Sequence, residues 1–274
     1  MPKTRTIDDK IIINKVCDLV IKNNLELPKD IKDTIQKAHK QSSSRQEKAL
    51  LDVISKNADI AKKQKLALCQ DTGISCFFVE LGKNIRTKSN IDLLINKGVE
   101  KAYRSKLLRP SIIDDPLNGK NSKFNTPASI SIELKNSDGI KISYLAKGGG
   151  SENATGLFML DPADGFEGIK KVVISLIKEK AINACPPIIV GIAIGGSADK
   201  ALLHSKKALL RQIGNRHPNK YYAKKEEELK KDINKLGIGV MGLKGDVTAL
   251  DVFIEPLPRH IATLAVGVSI LCHS

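Results

Sequence analysis

The sequence predicts an α+β fold, a single domain of mixed β-sheets surrounded by helices with a helical amino-terminal region. Three observations predict it. Apolar residues recur at helical spacing through residues 1–65. From Leu66 onward, short apolar or alternating runs bounded by Gly, Pro, Asn and Asp are interspersed with further helical stretches. No repeat, linker or low-complexity segment interrupts the 274 residues, which are enough to bury a sizeable core. The helical region is expected over 1–65 and the remaining core over 66–274.

Ile7 to Ile21 carries apolar residues at helical spacing, and Leu27-Pro28 breaks the run. Pro28 to His39 and Gln46 to Ile60 are the next helices, the second with Ala49, Leu50, Val53, Ile54 and Ile60 on one face. LALCQDTGISCFFVEL reads as strand, turn and strand, the chain bending at Cys69 to Gly73. A helix from Ile91 to Lys106 leads into an irregular stretch, LLRPSIIDDPLNGKNSKFNTPA. Ala128 to Leu134 and Ile140 to Leu145 alternate around Asn136-Ser137-Asp138-Gly139, the pattern of a β-hairpin. Gly168 to Lys180 is an amphipathic helix, Pro187 to Ile194 a buried strand ending at Gly195-Gly196, and Ser197 to Leu210 a helix. KYYAKKEEELKKDINKLG pairs Glu and Lys at i,i+4 spacing and reads as a solvated surface helix. GIGVMGLKGDVTALDVFIEPLP is strand-like with Gly turns, and HIATLAVGVSILCHS is apolar almost to the end.

Composition narrows the functional classes. The longest apolar stretches contain Gly or Pro and fall short of the about 20 residues a membrane span needs. The first residues carry no apolar signal core, so a cytoplasmic protein is expected. A formal charge of +15 invites a basic nucleic-acid-binding protein. Against it, Lys and Arg are spread along the chain and aromatic residues are only 4%, which leaves few platforms for base stacking. The same charge suits a heat-adapted surface or the steering of an anionic substrate.

Five scattered cysteines, Cys17, Cys69, Cys76, Cys185 and Cys272, with no CxxC pair, fit neither a disulfide framework nor a zinc ribbon. A free Cys is usually a small buried hydrophobe, so position must decide which carry chemistry. In Cys69-Gln70-Asp71-Thr72-Gly73 a thiol, an amide, a carboxylate and a hydroxyl crowd one turn, although an Asp there also serves as a plain turn former. Lys147-Gly148-Gly149-Gly150-Ser151-Glu152-Asn153 places three glycines where bare backbone N–H groups can approach a ligand. It lacks the Walker and dinucleotide spacings, which weakens a nucleotide reading. Ala184-Cys185-Pro186-Pro187 fixes a Cys before two prolines, and Cys-Pro also occurs among ferredoxin cluster ligands. Cys272 sits near the carboxyl end, where another domain or subunit could close a site.

In that order, CQDTG, LRPSIIDDPL…NTPA, KGGGSEN, ACPP…GIAIGG and the terminal cysteine segment resemble the class I fumarase and L-tartrate dehydratase family. The likeness covers Cys69 to Ser274, and the helical amino-terminal region fits it. More narrowly, the chain is similar to the separate α subunit of the two-subunit form. The resemblance implies a [4Fe–4S] cluster held by Cys69, Cys185 and Cys272, with one iron not ligated by cysteine and open to act as a Lewis acid. Cys17 and Cys76 match no ligand position. It also implies substrate contacts from Gln70, Asp71, Arg109, Gly150, Asn153 and Thr155, with Asp71 and His260 as candidates for proton handling. A β subunit would supply the rest of the site in a hetero-oligomer of α2β2 type. The expected reaction is reversible hydration of fumarate to malate, with dehydration of L-tartrate to oxaloacetate as the alternative.

Overall fold

The computed structural model describes residues 4–106 and 108–274. In chain order the elements begin with β1 (Arg5–Thr6), α1 (Asp9–Leu25), α2 (Lys29–Gln41) and α3 (Arg45–Gln64). Next come β2 (Ile74–Gly82), β3 (Ile85–Arg86), α4 (Ile91–Ser105), β4 (Ser129–Lys135), β5 (Ile140–Lys147) and α5 (Gly149–Asn153). The remainder is β6 (Gly156–Leu160), α6 (Gly165–Lys180), β7 (Ile188–Ile194), α7 (Ala198–Ala208), α8 (Lys220–Asn234), β8 (Ala249–Pro256) and β9 (Leu264–Cys272). The class is α+β, with mixed sheets among helices, as the sequence predicts. Contacts gather the described residues into two compact units, neither of them a continuous stretch of chain.

The first unit comprises the chain up to Leu27, Ala58–Lys147 and Ser274. Its core lies between α1, α4 and a sheet of order β4-β2-β5. Asp8 caps α1 by accepting from the Lys10 N–H at 2.7 Å, and Ile12, Val16 and Val20 then fall on the buried face. They meet Leu94, Ile95 and Val99 of α4, with Phe77 and Val79 of β2 and Tyr144 of β5 below.

Two expectations change here. Leu66–Leu68 is not a strand: Lys65 has a positive φ and the Leu68 N–H donates to the Asn24 carbonyl, so the segment is anchored as a loop. β4 and β5 flank the predicted turn but do not form a hairpin, because β2 lies between them, parallel to β4 and antiparallel to β5. The cause is burial. Cys76–Val79 is buried on both faces and suits a central strand, whereas β4 and β5 alternate and suit edges. The turn at 136–139 instead crosses the end of β2 at Gly82, where a Cβ would lie 2.3 Å from the Ser137 carbonyl oxygen.

The second unit comprises Pro28–Asn57 and Gly148–His273, and holds a four-stranded sheet of order β6-β9-β7-β8. Helices α6 and α8 cover one face through Ile169, Val173, Ile177, Leu229 and Ile233, packed on Val190, Ile192, Val252 and Val268. α7 covers the other face, where the buried hydroxyls of Ser205 and Ser269 lie 2.9 Å apart. Strand β7 pairs in parallel with β8 and antiparallel with β9.

α8 departs from the solvated reading. Its Glu226 is fully buried and accepts from Arg211 at 2.7 Å, from the Ile254 N–H at 2.9 Å and from the His217 N–H at 3.0 Å, while Arg216 lies 3.5 Å from it. A charged helix can therefore hide one structural carboxylate on its inner face. Glu226→Ala should destabilise the chain by about 3–5 kcal/mol, since it takes one carboxylate partner from each of two guanidinium groups and leaves two amides without their acceptor. The measurement is the urea midpoint at unchanged slope, and a loss under about 1 kcal/mol would place the pair in the weak surface class.

Candidate active site

In the first unit, the turn before β2 exposes Cys69 and Gln70 and leaves Asp71 half-buried. The turn is held from below. Asp71 Oδ1 accepts from the Gly73 N–H at 3.0 Å and from the Ser111 hydroxyl at 3.3 Å. The Thr72 hydroxyl donates to the Arg109 carbonyl at 2.7 Å. It also lies 2.7 Å from the Tyr103 hydroxyl, and with its own proton committed, Thr72 must accept from Tyr103. Burial pushes the Tyr103 phenol well above its ordinary range, which keeps that donor protonated. Buried Asn125 donates to the Gly73 carbonyl at 2.9 Å and accepts from the Ser111 N–H at 2.8 Å. The structure thus brings Cys69, Gln70 and Asp71 beside the backbone that carries Arg109, whose side chain is exposed.

In the second unit, Cys185 and Cys272 share one end of the sheet. Cys272 is the last residue of β9 and lies opposite Ile188, the first residue of β7. Cys185 stands three positions before Ile188, exposed and in the left-handed region at φ 49°, where a 3-10 turn over Ala181–Ala184 ends. His273 is buried there. Burial pulls its imidazole below the ordinary histidine range, opposed by hydrogen bonds with the backbone of Cys185 and Pro187.

The glycine segment forms the short helix α5, and its central residue has a packing duty the sequence does not reveal. A Cβ on Gly150 would lie 2.0 Å from the Asn183 carbonyl oxygen, so α5 rests directly on the turn that presents Cys185. Gly150→Ala should cost about 1–3 kcal/mol through forced displacement of that turn. An unchanged urea midpoint would show that the turn gives way freely. Asn153 is exposed on α5, and the Thr155 hydroxyl is shielded with no hydrogen-bond partner among the described residues.

His260 is not brought to this end. It lies exposed in the β8–β9 loop, beyond Leu264, while Cys272 closes the other end of the nine-residue strand, on the order of 25 Å away. Its Nδ1 accepts from the Ala262 N–H at 3.2 Å, and the Arg259 guanidinium ties the loop together through three carbonyls.

Exposure separates the five cysteines into two kinds. Cys17 and Cys76 are buried in the first unit's core, whereas Cys69 and Cys185 are exposed and Cys272 is half-buried; none forms a disulfide. Thiols at turns and strand ends, open on one side, are accessible to a ligand, and those packed among apolar core side chains serve as small hydrophobes. Tyr103, Ser111 and Asn125 were not singled out from the sequence. Asn125 lies within a quoted motif, but only its burial reveals that it braces the turn.

Comparison with known proteins gives the family. The sequence model described as "Fumarate hydratase (Fumerase)" matches residues 13–274. The chain is 45% identical over 269 residues to a Methanocaldococcus jannaschii protein named "Putative L(+)-tartrate dehydratase subunit alpha", covering 94% of each. It is 32% identical over 267 residues to the L(+)-tartrate dehydratase subunit alpha of Escherichia coli, covering 95% of this chain and 88% of that one. With cysteine-bearing turns of this kind and a match spanning nearly its whole length, the chain belongs to the fumarate hydratase (Fumerase) family and is a hydro-lyase.

Proposed function

We propose that this chain is the α subunit of a two-subunit iron–sulfur hydro-lyase that hydrates fumarate reversibly to malate. The observation that carries the reading is the sorting of the cysteines: the three at the family's ligand positions, Cys69, Cys185 and Cys272, are the three that are not buried. Their thiolates would hold a [4Fe–4S] cluster. When bound, the cluster supplies one iron without a cysteine ligand as a Lewis acid for the substrate hydroxyl and carboxylate. A cytoplasmic setting fits thiols that must stay reduced.

The chain's own residues bind and orient the substrate. Arg109 offers a planar pair of N–H donors, suited to one carboxylate of a dicarboxylic acid. Gln70 and Asn153 present exposed amides, and the Thr155 hydroxyl has an unmet hydrogen-bonding capacity. Gly150 acts through its backbone and through the turn it supports. Asp71 takes the proton from the carbon next to the hydroxyl-bearing one. Its Oδ1 is fixed by Gly73 and Ser111, so the carboxylate is oriented before substrate binds. His260, exposed in the β8–β9 loop, is the second candidate for proton handling. A β subunit would complete the site, in an assembly of α2β2 type; both relatives are named as α subunits.

Those names also favour a second substrate, L-tartrate, dehydrated to oxaloacetate. The two differ by one hydroxyl, a distinction set by whichever polar groups meet it. The test is anaerobic assay of the reconstituted chain with its β-type partner against fumarate, L-malate and L-tartrate. Higher kcat/KM on fumarate and malate supports the first reading. Preference for L-tartrate moves the assignment to the second, and turnover of none of them would overturn both.

A further inference from the structure

The second unit contains a cavity of about 370 Å3 that none of the proposed site residues lines. It is a half-open cleft lined by one face of α2, the inner side of α8, the 213–216 segment and the start of β8. Its volume lies within the range of small-molecule sites.

The charges around it are unevenly used. Three cationic residues, Lys37, Arg216 and Lys230, and two acidic ones, Asp246 and Asp251, contribute to the wall. Buried Asp251 is taken by Arg216 and by the N–H groups of Gly214 and Val252. Arg216 is further committed to Glu226 and to the Val252 carbonyl. Asp246, at the exposed rim, faces the Ser43 hydroxyl at 3.4 Å. Lys37 and Lys230 remain. Among the described residues neither ammonium makes a hydrogen bond or a salt bridge. The Gln41 amide, one turn beyond Lys37 on the same face of α2, is likewise uncommitted.

We propose that this cavity binds a small oxyanion, a carboxylate or phosphate group held between Lys37 and Gln41 of α2 and Lys230 of α8. Chain folding draws Lys230 into partial burial beside two other cations without a paired carboxylate, an arrangement unfavourable until an anion arrives. The strain has a direction. Burial lowers the Lys230 pKa, Asp251 opposes it, Arg216 and Lys37 lower it further, and Glu227 adds a smaller opposing pull. Ala38, Ile213 and Leu250 give the cavity an apolar floor for a short carbon skeleton. This site is independent of the cysteine reading and stands or falls separately from it.

Calorimetric titration of the full chain with inorganic phosphate and with citrate, at constant ionic strength in chloride, tests it. One-site saturable binding is expected in the wild type and in Lys224→Met, an exposed α8 position outside the cavity. Lys230→Met should weaken binding at least tenfold, and Lys37→Met should weaken it measurably. The Lys37 variant, altered at an exposed position, keeps the test open should Lys230→Met fold poorly. Tighter binding of phosphate would identify a phosphorylated ligand, and tighter binding of citrate a carboxylate. Heat that never saturates, or equal affinity in the wild type and both cavity variants, would overturn the proposal.

Discussion

Replacing Cys69, Cys185 or Cys272 singly with Ser is expected to leave the chain unable to retain a complete iron–sulfur cluster, with hydratase activity falling to background. Each serine keeps the size of the side chain but raises the ligand's pKa and removes the soft sulfur donor. The three positions are open at a turn or strand end, so the substitutions should barely disturb packing. Cys76→Ala is the informative contrast. Cys76 is buried near the start of β2, so its loss should reduce stability by about 1 kcal/mol, as small core deletions do, yet leave iron content intact. Iron and acid-labile sulfide per chain, measured anaerobically across the four variants, decide the matter. Full iron retention in any of the three serine variants would remove that residue from the ligand set.

Asp71→Asn should reduce kcat by about 100- to 10,000-fold, the usual contribution of a positioned general base, with iron content unchanged. The substitution separates two roles. Asn retains an acceptor oxygen for the Gly73 N–H and the Ser111 hydroxyl, and it favours the same Asx turn. The local geometry should therefore persist while the proton acceptor disappears. If Asp71 only shapes the turn, the variant will run within a few-fold of the wild type. If it carries the proton, the loss will appear in kcat with a smaller effect on KM.

Local patterns made much of the fold readable. The apolar spacing of α1, α2 and α3 and the break at Pro28 give their positions to within a few residues, because a buried helix face leaves a 3.6-residue signature. The fully apolar run of β7 likewise announces a strand buried on both faces. What failed was non-local. Asn136-Ser137-Asp138-Gly139 satisfies every local requirement of a hairpin turn, and nothing nearby shows that β2 takes the place between β4 and β5. The order of strands is decided by which run must be most buried, a property of the whole sheet.

The site divides in the same way. Cys69, Asp71, Cys185 and Cys272 stand in motifs whose composition is unusual for scaffolding, so they could be picked out from sequence. Tyr103, Asn125 and Ser111 brace the turn from sequence distances of up to about 50 residues, and an isolated polar residue gives no sign of being buried. His260 opens the apolar segment that ends at Cys272, and that segment folds as the extended strand β9 with His260 in the loop before it.

The most direct test is the metal content of the wild-type chain itself, purified without oxygen and reconstituted with iron and sulfide. A ligand set of three thiolates predicts about four irons and about four sulfides per chain with a broad absorbance near ~400 nm. A colourless chain that takes up no iron under those conditions would contradict it, and would return Cys69, Cys185 and Cys272 to the standing of ordinary surface thiols.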